Sequence, residues 1–260
     1  GDMPQVNLWV TYHNYYKAPD LIGPAVADAR SIPYVQIEST RAKKRLTGGW
    51  ADFARAAHDA ADAAAAIFHF TERDRFAWQR DRAGDQLLAQ LPPFLPRATP
   101  PRATSLDAPM LTVAMMRQGD KLASYRLIAE TLALMEGDWQ LDIVGDGPAR
   151  HEVEALMAPF GARVRFRGQL PPVALAQAYG RASLLLWPGV NEAFGMVYLE
   201  AQAHGLPVVA QDRPGVRDVL LPGNYPAVDQ GAAGLAALAA ALLSAPDLRR
   251  SRSALARAYI

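Results

Sequence analysis

PGVNEAFGMVYLEAQAHGLPVVA, Pro188–Ala210, is the stretch on which the fold turns. The apolar run ASLLLWP leads into it, a polar turn carries Glu192, FGMVYLEAQAHG has helical spacing, and LPVVAQD closes it as a second β-branched run. Strand, helix and strand joined by short connections predict a parallel sheet with a crossover helix. Glu192 stands just before the helix and Glu200 within it. At about 1.5 Å per residue the two carboxylates are expected roughly 12 Å apart and on one side of the helix. That reach suits two groups of hydroxyls separated by a diphosphate. Ala193, Phe194, Gly195 and Met196 would then offer helix N-terminal amides to the phosphates, Gly195 allowing close approach, and Val197 is a further candidate donor-binding residue. The plainer reading makes Glu192 a partner of the helix dipole and Glu200 a solvated helix residue.

The same alternation extends upstream. MLTVAMM, WQLDIVG and ARVRFRG read as strands, and LASYRLIAETLALM, ARHEVEALMAPF and VALAQAYGRA as helices. GAAGLAALAAALLSAP begins a closing helical segment. In such sheets ligands lie beyond the carboxyl ends of the strands, which directs attention to the loops after Met116, Val144, Arg167 and Trp187. After the first of these stand Arg117 and Lys121, two cations able to neutralise a diphosphate, or ordinary surface charge. After the second comes GDGP, with Gly145 and Gly147 bringing backbone close to a nucleotide and Pro148 opening the next helix. Arg150 occupies the third glycine position of a dinucleotide fingerprint, which argues against a nicotinamide-dependent oxidoreductase.

VNLWV (Val6–Val10), PYVQIE (Pro33–Glu38) and AAIFHF (Ala65–Phe70) are further strands, separated by the helical stretches DLIGPAVADAR and WADFARAAHDAADAAA. Thr71 followed by Asp74 marks another helix start. The proline-dense run Leu91–Pro109 cannot continue a helix or a central strand and reads as a connector. The expected organisation is α/β with two Rossmann-like domains, parallel sheets flanked by helices: residues 1–100 a partial N-terminal domain, 101–109 a Pro-rich linker, and 110–260 the C-terminal domain.

R-x3-K, GDGP, VRFRG and E-x7-E, in this order, resemble the donor domain of the GT-B glycosyltransferases, in particular the large retaining family 4. The likeness runs from Met110 to about Leu220. It implies that Arg117 and Lys121 hold a donor diphosphate, that Glu200 binds the ribose hydroxyls and Glu192 the transferred sugar, and that the Phe166–Arg167–Gly168 backbone lies against the base. The family commonly has a longer gap before its lysine and a glycine after it, where Leu122 stands here. The first hundred residues resemble the later half of the family's acceptor domain, which makes the N-terminal sheet incomplete and open to self-association. His13 would line the acceptor side. Many relatives carry a histidine near the position of Glu38, whose carboxylate would orient a sugar hydroxyl, stabilise developing positive charge, or simply be a paired strand-end residue.

Bulk properties fit such an enzyme. The net charge of +1 shows no pull toward nucleic acid, and the absence of cysteine excludes disulfides and thiolate metal sites. GDMPQVNLWV has no leader-like pattern and no apolar run approaches the roughly 20 residues of a membrane span, so a cytoplasmic protein is expected. RAKKR, Arg41–Arg45, is a solvated loop or a peripheral contact to anionic lipid at the inner face of a membrane. The resemblance thus implies transfer of a sugar from a nucleotide-diphosphate sugar to a glycan, lipid or small-molecule acceptor with retention, without metal or other cofactor. The alternative is a fragment that binds the nucleotide sugar without turnover.

Overall fold

The computed structural model describes residues 6–96 and 101–260. Residues 1–5 and residues 97–100 of the proline-rich run lie outside them. The chain divides into two compact units, up to Pro92 and from Pro93 onward.

The first unit holds a four-stranded parallel sheet in the order β1 (Trp9–Tyr12), β2 (Tyr34–Ile37), β3 (Ala66–His69), β4 (Leu87–Gln90). Helices α1 (Gly23–Ala29), α2 (Ala51–Asp62) and α3 (Glu72–Arg80) make the crossovers. Thr71 caps α3 by accepting from the Asp74 amide, as its spacing predicts. Because β1 to β4 advance in one direction, right-handed crossovers put all three helices on the same face. There Ala27, Ala61, Ala64 and Trp78 pack on Tyr34 and Ile67. On the opposite face the register aligns two apolar rows, Val10–Val35–Ala66–Leu87 and Tyr12–Ile37–Phe68–Ala89. Val10, Tyr12 and Leu87 on this face are exposed. A parallel sheet is normally covered on both faces, whereas this one exposes apolar side chains on the second. β4 was not anticipated, and β1 begins three residues later than the run at Val6 suggests.

In RAKKR, Arg41 pairs with Asp62, Lys43 with Asp81 at 2.6 Å, and the Arg45 guanidinium sits 5.0 Å over the Tyr16 ring. These local partners account for three of its four cations. Among the described residues no single helix is long and apolar enough to cross a membrane.

The second unit carries a five-stranded parallel sheet in the order β7-β6-β5-β8-β9, formed by β5 (Met110–Val113), β6 (Leu141–Val144), β7 (Val164–Gly168), β8 (Leu185–Leu186) and β9 (Val208–Val209). The connecting helices are α4 (Asp120–Ala133), α5 (Arg150–Met157), α6 (Pro172–Tyr179) and α7 (Met196–Ala203); α8 (Gly231–Ser244) and α9 (Pro246–Tyr259) close the unit. Leu111, Ile143, Leu185 and Val209 are fully or almost fully buried at its centre. Thr112, a polar residue on the central strand, is tolerated because its hydroxyl donates to the Leu186 carbonyl at 2.7 Å. The chain first winds outward through β5, β6 and β7, then returns to place β8 on the other side of β5. The switch point therefore falls between β5 and β8, where open α/β sheets bind ligands.

Two outcomes follow. Ile143→Ala is expected to lower unfolding free energy by about 2–5 kcal/mol in a urea titration, since a buried branched side chain is lost and the packed sheet collapses poorly. Hydrogen bonding from Arg80, aided by Lys43, holds the Asp81 carboxyl down at about 2. Its ionised form therefore stabilises the fold above about pH 4, and that contribution disappears as pH falls toward 2. Asp81→Asn should flatten the acid limb of the stability–pH curve relative to the parent chain.

Candidate functional site

All five strands of the second sheet are parallel, so the loops after β5, β6, β7, β8 and β9 emerge at one edge. Arg117 and Lys121 follow β5, Gly145 and Gly147 follow β6, Phe166 and Arg167 end β7, and Glu192 follows β8. At the switch point the loops after β5 and β8 meet. The Lys121 ammonium lies 2.5 Å from Glu192 Oε2, with both side chains only 16% exposed. The Trp187 indole donates to the same oxygen at 3.2 Å, and the ammonium stands 5.2 Å over the Trp187 ring. Val190 donates its amide to Ser124 on α4 at 3.1 Å, and Asn191 donates to Asp120 at 2.9 Å, so α4 fixes the turn that carries Glu192. Asn191 itself adopts a left-handed φ of 48°.

Glu192 precedes the helix and Glu200 lies within it, as expected, but no continuous helix joins them. Gly195, at φ 63°, is the N-cap of α7, and the helix starts at Met196. Glu192 and Ala193 belong to the preceding turn, and the helix's open amides begin at Met196 and Val197. Glu200 stands on the second turn, where the buried Tyr179 hydroxyl donates to its Oε2 at 2.8 Å. A side chain at Gly195 would strike the Tyr198 ring at 2.7 Å and Glu192 Cγ at 2.9 Å, so this glycine is what lets Glu192 fold back beside the helix. Phe194, Met196 and Val197 pack partly buried against the core.

The glycines of GDGP are both pressed against main chain. A Cβ on Gly145 would meet the Ala114 carbonyl oxygen at 1.9 Å, and one on Gly147 the Met116 carbonyl oxygen at 2.3 Å. The close approach they permit is to the loop after β5, fastened by Met116 N–H to Asp146 O and Ala149 N–H to Met116 O, each 2.9 Å. They thereby fix the floor from which Arg117 projects. Pro148 precedes rather than opens α5, which begins at Arg150. Arg150 pairs with Asp146 and Glu154 and lies 5.9 Å over the Phe166 ring. Arg167 is 3.9 Å from Asp142, and Gly168 accepts from the Gly145 amide at 2.9 Å. Arg117 is exposed, with no ion pair among the described residues.

In the first unit, His13 and Glu38 follow adjacent strands, both with left-handed φ (63° and 53°), and lie 3.4 Å apart between Nδ1 and Oε2. The separation lacks the alignment of a hydrogen bond, since His13 Nδ1 has no such partner. The Tyr12 phenol donates to Glu38, which together with burial pushes it up to about 12. Non-glycine residues held in this backbone region are strained, and such strain gathers at functional positions. Sequence reasoning passed over Trp187, Tyr179 and Ser124, the last bonded to Val190, 66 residues along the chain.

Residues 110–245 match the family described as glycosyl transferases group 1, more than half of the chain. The chain belongs to that family. It is 38% identical over 95 residues to a GDP-mannose-dependent alpha-mannosyltransferase of Mycolicibacterium smegmatis, covering 36% of this chain and 24% of that protein. It is 33% identical over 169 residues to a D-inositol 3-phosphate glycosyltransferase of Streptomyces bingchenggensis, covering 61% and 35%. The matches thus span about a quarter to a third of these relatives. Among solved structures, Anabaena Alr3699/HepE in complex with UDP superposes with a TM-score of 0.75 at 16% identity, over 96% of this chain and 73% of that one. Sucrose-phosphate synthase from Thermosynechococcus elongatus gives 0.73 at 19%, over 96% and 68%. The two-sheet architecture is the GT-B fold.

Gly145→Ala is expected to cost about 2 kcal/mol or more in chemical denaturation, because main chain must move to admit the methyl group. Gly137→Ala, also at positive φ but facing open space, should cost roughly 1 kcal/mol.

Proposed function

We propose that the chain is the donor-binding part of a glycosyltransferase, with a portion of its acceptor side, that moves a sugar from a nucleotide-diphosphate sugar to a glycan, lipid or small-molecule acceptor with retention of configuration. The carrying observation is the Lys121–Glu192 pair at the switch point, beside the exposed Arg117. Two cations flanking a helix N-terminus suit a diphosphate, and a carboxylate next to them suits sugar hydroxyls. Relatives named for GDP-mannose and a neighbour solved with UDP support a nucleoside diphosphate donor.

In this reading Lys121 exchanges Glu192 for the donor diphosphate, and sugar hydroxyls take over the carboxylate it leaves. Arg117 and the first amides of α7 share the phosphate charge. Glu200 accepts from the ribose hydroxyls, and the backbone at Phe166, Arg167 and Gly168 borders the base. Gly145 and Gly147 act indirectly, by seating the loop after β5. The acceptor hydroxyl attacks the anomeric carbon on the face from which the diphosphate departs. The breaking bond leaves its electron pair on the phosphate oxygen, which takes the acceptor's proton. Cations and amides stabilise that oxygen as charge develops, so the proposal needs no protein nucleophile, metal or other cofactor. His13 and Glu38 are assigned to the acceptor, with Glu38 orienting a hydroxyl through the contacts that also hold Tyr12. The reaction is placed in the cytoplasm, where nucleotide sugars are made, and at the membrane periphery if the acceptor is a lipid.

The uncovered face of the first sheet favours a second reading, donor binding without transfer, because positioning of the acceptor supplies a large part of such catalysis. It also makes self-association through that face part of the proposal. Comparison of sugar transfer by this chain with that of a form extended at the amino end separates the two readings.

Arg117→Ala and Glu200→Ala are each expected to weaken UDP-glucose or GDP-mannose binding about tenfold or more in calorimetric titration, the scale of a lost charged hydrogen bond, with little change in Tm. Unchanged affinity in both variants would remove the site.

A further inference from the structure

Glu200 does not hang freely at the site edge. Tyr179, the last residue of α6, is 2% exposed and donates to Glu200 Oε2 at 2.8 Å. Its ring is stacked on His204, with centroids 5.3 Å apart and planes at 19°. His204 is held in turn by the segment entering the unit, its Nδ1 lying 3.1 Å from the Arg102 carbonyl and its own carbonyl accepting from the Thr104 amide at 2.8 Å. The phenol is thus clamped on its face and anchored at its tip. Burial and the neighbouring Glu200 raise the phenol well above its ordinary range, so it remains a donor. A carboxylate offers about four lone-pair positions, and Tyr179 takes one on Oε2. A cavity of about 470 Å³, bordered by Leu170, Leu175, Tyr179, Met196 and Glu200, opens alongside, within the size range of small-molecule sites.

We infer that Tyr179 is a positioning residue that orients the Glu200 carboxylate and so sets preference for a ribonucleotide over a 2′-deoxyribonucleotide. The inference rests on the reading of Glu200 given above. A carboxylate fixed by a third group meets two vicinal hydroxyls without first losing rotational freedom, whereas a loose one must be ordered by the ligand. When one hydroxyl is missing, a fixed acceptor is left unmatched, and discrimination results.

The test is calorimetric titration of the parent chain, Tyr179→Phe and Glu200→Ala with UDP, 2′-deoxy-UDP, GDP and 2′-deoxy-GDP, alongside melting curves. Phenylalanine keeps the buried ring and its stack on His204. The parent should prefer the ribo form about tenfold for the base it accepts, and Glu200→Ala should abolish that preference. Tyr179→Phe should shrink it about three- to tenfold while leaving deoxynucleotide affinity near the parental value. A Tyr179→Phe protein with full parental preference overturns the inference and leaves the role of Glu200 standing. Equal weakening of ribo and deoxy forms also overturns it, since that is the mark of a structural role. A parent chain indifferent to the 2′-hydroxyl overturns the assignment of Glu200 itself.

Discussion

Parallel pairing of β6, β5 and β8 obliges three stretches far apart in the chain to leave the sheet at one edge, and the order reversal at β5 keeps the loops after β5 and β8 from being bridged by a crossover helix. Into that gap the chain places opposite charges. Lys121 and Glu192, 71 residues apart, sit against the Trp187 ring in a half-dry setting. Neither would be tolerated there alone, because a largely buried charge without a partner is costly. The pair is therefore a structural contact, and in the proposed function it is also the source of two groups for an anionic, hydroxyl-bearing ligand.

Backbone packing stiffens the edge alongside these side-chain contacts. Gly145 and Gly147 press the loop after β6 against the loop after β5, and Gly215 lies where a Cβ would be 1.9 Å from the Ala193 carbonyl oxygen. These glycines sit at positive φ, in contacts no other residue could enter without moving main chain. The consequence is a rim whose backbone is held in place by the fold, which in the proposed function favours electrostatic stabilisation by its amides.

The two units differ in how their sheets are covered. The second buries its sheet beneath helices, whereas the first has its helices on one face and leaves two apolar rows on the other. A face of that composition is unstable toward water and toward other chains, which ties the behaviour of the first unit to whatever covers it.

Sequence alone determined the α/β class, the run of alternating elements in both halves and the edge on which the polar residues gather. Those features depend on local periodicity and on the rule that strand ends carry ligands, both of which are written in consecutive residues. β4 escaped because LLAQ is short and half exposed, with little periodic signal. The E-x7-E spacing marked both glutamates, yet not their geometry: a left-handed Gly195 ends the turn and starts the helix after Glu192, and a dihedral angle is not visible in a helical wheel. Tertiary structure alone decided that Lys121 meets Glu192, that the GDGP glycines serve a neighbouring loop, and that Tyr179 grips Glu200. Each is a contact between segments dozens of residues apart or across a helix pair, set by how the sheet orders its strands rather than by any residue's neighbours in sequence.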